Sequence, residues 1–250
     1  MCALPPVLDS TDCTAGACQH CAVRPHCLPG AHSAADCSTI ESLVLRRRRV
    51  LRGEDLFLME DQAHHRLYAI RSGAFKTYLL KPDGQQRVTG FLHAGAVLGL
   101  QSIGLDRQPL AASALSDSVV CEFSSHDLHL AASKSPSLAH RFYTLMSKEL
   151  ARQQSLSCLL RNDDASPKLA AFLLWQAGQA IAAGQARPSF QLLMSRQDIG
   201  DFLGLTGSTV SRVLGRFIDT ACVRSVRRHI IILDLPLLLT LAQADPAVPR

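Results

Sequence analysis

The sequence predicts an α+β chain with a β-rich N-terminal half, a long helix and a small helical C-terminal domain. Three observations carry this. Between about Ile40 and Glu122, short apolar runs are broken repeatedly by turns containing Gly or Pro. A helical stretch with apolar residues at heptad-like steps follows, from about Pro136 to Arg161. Beyond it, two short amphipathic patterns flank Gly204, the arrangement of a helix-turn-helix.

The 250 residues suffice for two domains, because single cores stop growing at roughly 250 to 300 residues. The net charge of +5 is unevenly placed: from Ser166 onward nine Lys and Arg stand against five Asp and Glu. A basic C-terminal third points toward nucleic acid. The longest apolar run, Ile230 to Ala242, is interrupted by Asp234 and Pro236 and falls short of the roughly 18 residues of a membrane span. No export signal is legible, so the expected location is cytoplasmic, with no membrane partner.

Residues 1–37 hold six of the nine cysteines, and Cys18-Gln-His-Cys21-Ala-Val-Arg-Pro-His-Cys27 is a C-x2-C-x5-C run. In a reducing compartment such thiols are metal ligands rather than disulfide partners. Cys121 lies far away in an apolar alternating stretch, where by itself it reads as a small core hydrophobe. Cys13 and Cys37 are near enough in sequence to substitute as ligands.

The next segment, 38–135, reads as a β sandwich or barrel-like roll. Leu67 to Ile70 stops at Arg71-Ser72-Gly73, Phe75 to Leu80 at Lys81-Pro82-Asp83-Gly84, and Gln86 to Leu92 at His93-Ala94-Gly95. The run Arg46 to Arg49 reads as a solvated strand edge that discourages sheet aggregation. His64-His65 reads as exposed turn polarity.

Residues 136–161 read as a dimerisation helix. Met146, Leu150, Gln153, Ser157 and Leu160 recur at steps of four and three, the spacing of a coiled-coil seam. Its polar centre predicts weak self-association that can be tuned from elsewhere. A polar break at Asn162 to Ala165 marks a domain boundary. Ser166 is then expected to cap a helix with Pro167 at its first position, ending near Gly184.

The domain 166–250 carries the helix-turn-helix. Ser195 is expected to cap Arg196 to Leu203, Gly204 to permit the turn, and Thr206 to cap a helix through about Asp219. Val210, Val213, Leu214 and Phe217 face inward, while Ser208, Ser211, Arg212 and Gly215 form an outward polar stripe suited to a major groove. Arg212 can bond bidentately to guanine O6 and N7, and Ser208 and Ser211 can donate or accept. Arg196, Arg216, Arg224, Arg227 and Arg228 suit phosphate contacts. The basic segment Val223 to Leu233 reads as a wing. No nucleophile elbow, phosphate loop or paired catalytic constellation is legible, so an enzyme is not predicted.

These residues resemble the CRP/FNR superfamily of bacterial transcription regulators, in its oxygen-sensing FNR branch. The likeness rests on Cys18-x2-Cys21-x5-Cys27, Leu67-Tyr-Ala-Ile-Arg-Ser-Gly73, Val88-Thr-Gly-Phe91, Val120-Cys-Glu122, Leu145-Met-Ser147, Leu169-Ala-Ala-Phe172, Asp198-Ile-Gly200 and Leu214-Gly-Arg-Phe217. The resemblance implies a cyclic-nucleotide-binding-like β jelly roll, a dimerisation helix and a winged helix-turn-helix. It further implies that Cys18, Cys21, Cys27 and Cys121 ligate a 4Fe-4S cluster, for which four thiolates are the required donor set. Spacing by itself leaves a structural zinc open.

By the same resemblance, an intact cluster ties the N-terminal segment to the roll and favours a homodimer on palindromic double-stranded DNA. Recognition helices then enter major grooves roughly 34 Å apart, with RNA polymerase as a further partner. Oxygen, or nitric oxide at the same iron, releases the constraint. Two departures stand out. Ser208 replaces a glutamate common in this branch, which shifts the expected half-site, and the uncharged Gln153 replaces an acid in the seam, which predicts a stronger dimer.

A CRP-like regulator answering to thiol redox, zinc or a small effector is the alternative. Cyclic nucleotide is not the expected effector: the stretch Gly95-Ala-Val-Leu-Gly99 lacks the Glu, and Arg107-Gln-Pro109 the Arg-Ser/Thr pair, of nucleotide-binding relatives.

Overall fold

The structure, a computed structural model, describes residues 18–28, 34–160, 164–182 and 188–242, with the side chains at 34, 35, 156–160 and 182 excepted. Cys2, Cys13, Gly184 and the side chains of Ser157, Cys158 and Leu160 thus lie outside the described residues.

After the cysteine turns come α1 (Ala34–Ser42) and eight strands: β1 (Val44–Val50), β2 (Asp55–Phe57), β3 (Arg66–Ser72), β4 (Ala74–Leu80), β5 (Gln86–His93), β6 (Val97–Leu98), β7 (Ala111–Ala114) and β8 (Ser118–Ser124). Helices α2 (Ser125–Lys134), α3 (Pro136–Leu160) and α4 (Ala165–Ala182) follow. The chain continues through β9 (Ser189–Gln191), α5 (Arg196–Leu203), α6 (Gly207–Asp219), β10 (Val223–Val226), β11 (His229–Ile232) and α7 (Leu235–Leu241). No helix among the described residues is long and apolar enough to cross a membrane.

The described chain divides into two compact units. The first comprises residues up to Phe75 together with Leu92–Met146, and the second comprises Lys76–Phe91 together with Ser147 onward.

Strands β1 to β8 form two four-stranded sheets, ordered β1-β8-β3-β6 and β2-β7-β4-β5. In the first unit, β3 is buried at four successive residues, Leu67 to Ile70, because its two faces serve two different cores. Tyr68 and Ile70 join Val50, Leu56, Phe75, Leu98, Ala112 and Val120 in one cluster. Leu67 and Ala69 join Leu28, Ile40, Val97, Phe123, Leu128 and Leu138 in another. Alternation along a strand sends successive side chains to opposite faces. Covering both faces turns the expected polar alternation into a continuous apolar run. The second cluster is where α1, the cysteine turns and the start of α3 meet the sheet.

The second unit contains the helix-turn-helix. Ser195 caps α5 in a reciprocal capping box with Asp198, and Gly204 ends it in the left-handed region at φ 68°. The turn is tight enough that a Cβ on Gly200 would lie 2.7 Å from the Leu205 carbonyl oxygen, so a glycine is needed there. Thr206 caps α6 through the Thr209 N–H. Ile199, Leu203, Val210, Val213, Leu214 and Phe217 are buried as the pattern requires, and Phe202 joins them. Strands β10 and β11 form the wing hairpin, and β9, which the sequence did not suggest, pairs with β11.

One expected boundary shifts. Helix α4 begins at Ala165, so Ser166 lies inside its first turn instead of capping it, with Pro167 behind. Proline is tolerated there because first-turn N–H groups have no intrahelical acceptor.

Candidate functional site

The chain between Cys18 and Cys27 folds into successive tight turns. Arg24 N–H donates to the Cys21 carbonyl at 3.0 Å, and both His26 and Cys27 N–H donate to the Val23 carbonyl at 3.0 Å. These turns bring the three thiols to one side of the segment. The fourth comes from the sheet: Cys121 sits in β8 opposite Arg47 of β1 and Ala69 of β3. Strand parity puts it on the same face as Leu67, Ala69 and Phe123. Cys18, Cys21, Cys27 and Cys121 therefore line one concavity with about 340 Å³ of empty space, part of it open solvent. Val23, Arg24, Ile40, Ala69, Arg71 and Phe123 complete its wall. Among the described residues, no three His, Cys, Asp or Glu side chains converge tightly enough to hold a single ion.

Cys121 is half-buried, packs against the core cluster of Leu67, Ala69 and Phe123, and also faces this concavity. Cys37 is fully buried on α1 and is not part of the wall. Its helix turns the thiol into the core. Cys13 lies outside the described residues.

Burial dominates the electrostatics of the cysteines. Burial pushes the Cys27 thiol up to about 12, with the neighbouring Cys121 and Cys21 adding to the rise. Burial also raises Cys18, aided by Glu41, and raises Cys121 against the opposing pull of Arg47 and Arg71. Desolvation disfavours the thiolate form of each of these three.

Glu41 and Arg47 were not legible as site residues. The Glu41 carboxylate accepts the Cys18 backbone N–H at 2.9 Å and a second bond from the Arg47 guanidinium. Burial alone would raise Glu41, but the bonds from Cys18 and Arg47 hold it below the usual carboxylate range. The Arg46 to Arg49 run is thus only partly a solvated edge. Although β1 is an edge strand, Arg47 is 13% exposed at its side chain and turned toward the cysteines, whereas Arg46 is 64% exposed and pairs with Glu122. Alternation within the run was the available signal.

Two further residues meet the cysteine turns. Gly95, at φ +96°, leaves room for His26, whose Cβ would lie 2.7 Å from a Cβ placed on residue 95. From α3, the Arg141 guanidinium donates to the Cys27 carbonyl at 2.8 and 3.1 Å and to the Pro25 carbonyl at 3.1 Å. Asp36 of α1 accepts bonds from Ser135 and Ser137 at the start of the same helix.

The exposed face of α3 carries Tyr143, Met146 and Leu150 at 71%, 37% and 62% exposure. Tyr143 lies one turn before Met146 and Leu150 on that face. The Gln153 side-chain amide donates to Glu149, which also holds Arg152 through two bonds.

In the second unit, Ser208, Ser211, Arg212 and Arg216 are all exposed on α6, opposite its buried face. Ser211 Oγ donates back to the Gly207 carbonyl at 3.0 Å, and Arg216 reaches Ser166 Oγ at 3.3 Å. Arg224, Arg227 and Arg228 are exposed on the wing, with Arg227 in the left-handed region at its tip. Arg196 is half-buried at the start of α5. Burial, and then the charge of Arg228, lowers its guanidinium from the ordinary value. His64 and His65 are exposed in a left-handed turn, as expected of turn polarity.

Residues 47–134 match the cyclic nucleotide-binding domain family, and residues 167–241 match the Crp-like helix-turn-helix domain. The chain is 34% identical to the fumarate nitrate reduction regulatory protein of Klebsiella oxytoca over 225 residues, 90% of each chain. It is 36% identical to the fumarate and nitrate reduction regulatory protein of Escherichia coli (strain K12) over 200 residues, 80% of each. Among solved structures, FixK2 from Bradyrhizobium japonicum aligns with a TM-score of 0.71 at 29% identity, covering 82% of this chain and 98% of that one.

Proposed function

The chain belongs to the FNR branch of the CRP/FNR family of DNA-binding transcription regulators, and from that premise we propose that it senses oxygen through a 4Fe-4S cluster held by Cys18, Cys21, Cys27 and Cys121. It is a regulator and not an enzyme. The observation that carries the proposal is the convergence of three clustered thiols and one distant strand thiol on a single concavity. That donor set fits the group, since a 4Fe-4S cluster takes four thiolates. Part-buried Arg24 and Arg71 in the wall, and Arg47 beside Cys121, suit the negative charge that four thiolates bring.

When bound, the cluster supplies iron and sulfide that react with oxygen, and nitric oxide is the second candidate signal at the same iron. The chain's own residues convert that chemistry into DNA binding. Cys121 ties the 18–27 turns to β8, and Leu28 and Cys27 pack on the α3 face that carries Leu138, Phe142 and Leu145. Tyr143, Met146 and Leu150, on another side of α3, meet a second copy of the chain in a homodimer. Gln153 in that seam adds no like-charge repulsion.

Each protomer then presents α6 to the major groove of a palindromic site. Arg212, Ser208 and Ser211 reach base edges, and Arg196, Arg216 and the wing arginines meet phosphates. In this reading residues 38–135 sense, 136–161 dimerise and 166–250 bind DNA, with RNA polymerase recruited at the promoter.

Anaerobic purification followed by iron and acid-labile sulfide analysis tests the cluster. About four of each per chain are expected, and Cys18→Ser, Cys21→Ser, Cys27→Ser and Cys121→Ser should each lose them. Retention in all four variants disproves the ligand set, and one zinc per chain without sulfide replaces the proposal by a structural zinc.

A further inference from the structure

We propose that Arg141 is the positioning residue that links the cysteine turns to the dimerisation helix, through the carbonyls of Cys27 and Pro25. The inference rests on the cluster reading above and names the contact through which it acts on α3.

Three observations place Arg141 in this role. Its guanidinium makes three bonds to two carbonyls of the cysteine segment, at 2.8 to 3.1 Å. A planar fork of N–H donors suits two neighbouring oxygens in a way that an ammonium cannot match. Next, Arg141 stands on the helix face defined by Leu138, Phe142 and Leu145, the residues packed with Cys27 and Leu28. Residues three and four apart share a face, so the polar clamp and the apolar contact act on the same side. Finally, Tyr143, Met146 and Leu150 are exposed on another side of the same turns. A helix turns as a rigid body, so fixing its inner face fixes the bearing of its outer one.

The acceptors matter as much as the donor. The Cys27 carbonyl belongs to a ligand residue, and Pro25 precedes it by two positions, within turns stabilised by local bonds at Val23 and Cys21. A change in the seat of Cys27 therefore moves the oxygens that Arg141 holds. Asp36, bonded to Ser135 and Ser137, anchors the helix start to α1. Helix α3 is then held at its start, and the Arg141 fork, beside the apolar contact of Cys27 and Leu28, follows the cluster.

The test is a cycle on the full-length chain. Monomer–dimer constants are measured by anaerobic sedimentation for cluster-loaded and cluster-free wild type, Arg141→Gln and Arg141→Lys, with iron and sulfide content and the visible absorption spectrum recorded for each. The expected result is wild-type iron content and spectrum in both variants, unchanged cluster-free dimerisation, and a ratio of loaded to cluster-free dimer affinity about tenfold smaller in Arg141→Gln. Arg141→Lys should recover part of that ratio. An unchanged ratio in iron-loaded Arg141→Gln overturns the link while leaving the cluster intact. Loss of iron in both variants also overturns it, by making Arg141 a support of cluster retention. Iron-free wild type fails the cluster reading itself, and the link with it.

Discussion

Substituting Gly95 should loosen the cysteine turns without touching a cysteine. At φ +96° an alanine costs about 1–2 kcal/mol of left-handed strain, offset by about 0.4–1 kcal/mol from a stiffer unfolded chain. Gly53, at φ +86° with nothing within 4 Å of its added Cβ, suffers the same backbone effect and no contact. The difference between the two variants is therefore the collision with His26. Its Cβ would sit 2.7 Å from the new methyl, about 0.8 Å inside the ~3.5 Å at which carbon contacts become attractive. Overpacking of this kind costs about 1–3 kcal/mol, and the cheapest relief is retreat of the 18–27 segment, because β5 and β6 are fixed by the sheet.

Gly95→Ala should thus hold iron roughly tenfold to hundredfold less tightly than Gly53→Ala, at 1.4 kcal/mol per tenfold. Anaerobic reconstitution followed by chelator challenge, read by visible absorption, measures this. Thermal melts of both variants monitor the shared strain. Equal iron retention in the two refutes the claim that Gly95 seats the cysteine turns.

Two other outcomes follow from the second unit. Arg212→Ala should weaken binding to the preferred palindrome by about 1–3 kcal/mol while leaving non-specific affinity nearly unchanged, whereas Arg228→Ala should lower both and reduce the salt slope by about 1. Titrations at several salt concentrations separate the two, and equal loss on random DNA would remove Arg212 from base readout. Asp198→Asn should destabilise the fold at neutral pH by about 1–3 kcal/mol, the range for hydrogen bonds to charged groups, because Asp198 accepts from Lys76 at 2.7 Å and from Ser195. Burial opposes ionisation there, but Lys76 and Ser195 win and hold the carboxyl below its usual value. A depressed carboxylate stabilises above its unfolded pKa of ~3.9 and loses that contribution as pH falls through its folded value. Denaturation curves of variant and wild type should therefore converge in strong acid, and a constant gap down to that range contradicts the assignment.

The sequence was most informative where structure is local. Caps at Ser195 and Thr206, the glycine at 204 and the buried stripe Val210, Val213, Leu214 and Phe217 are set by neighbours within a few residues, so periodicity suffices to find them. The turns after β3, β4 and β5 were legible for the same reason. Strand β9 was missed because its three residues acquire meaning only by pairing with β11. The start of α4 slipped by two residues because Ser-Pro reads equally well at the cap or inside the first turn.

For the site, the C-x2-C-x5-C run and the isolated Cys121 were visible as residue types, and the family resemblance suggested that they act together. Composition and spacing also determined that the chain divides its chemistry between a thiol-rich beginning and a basic end. The tertiary structure decided which face of β8 Cys121 occupies. The run from Leu67 to Ile70 on the neighbouring strand is apolar on both faces, so alternation could not separate the inner core from the outer one. Pairing with β1 and β3 fixed the parity and turned Cys121 toward the three loop thiols. The same long-range packing brought Glu41, Arg47, Gly95 and Arg141 to the cysteine turns from separate stretches of the chain. Those contacts join residues up to 116 positions apart, and no local pattern encodes a distance that only a closed fold can set.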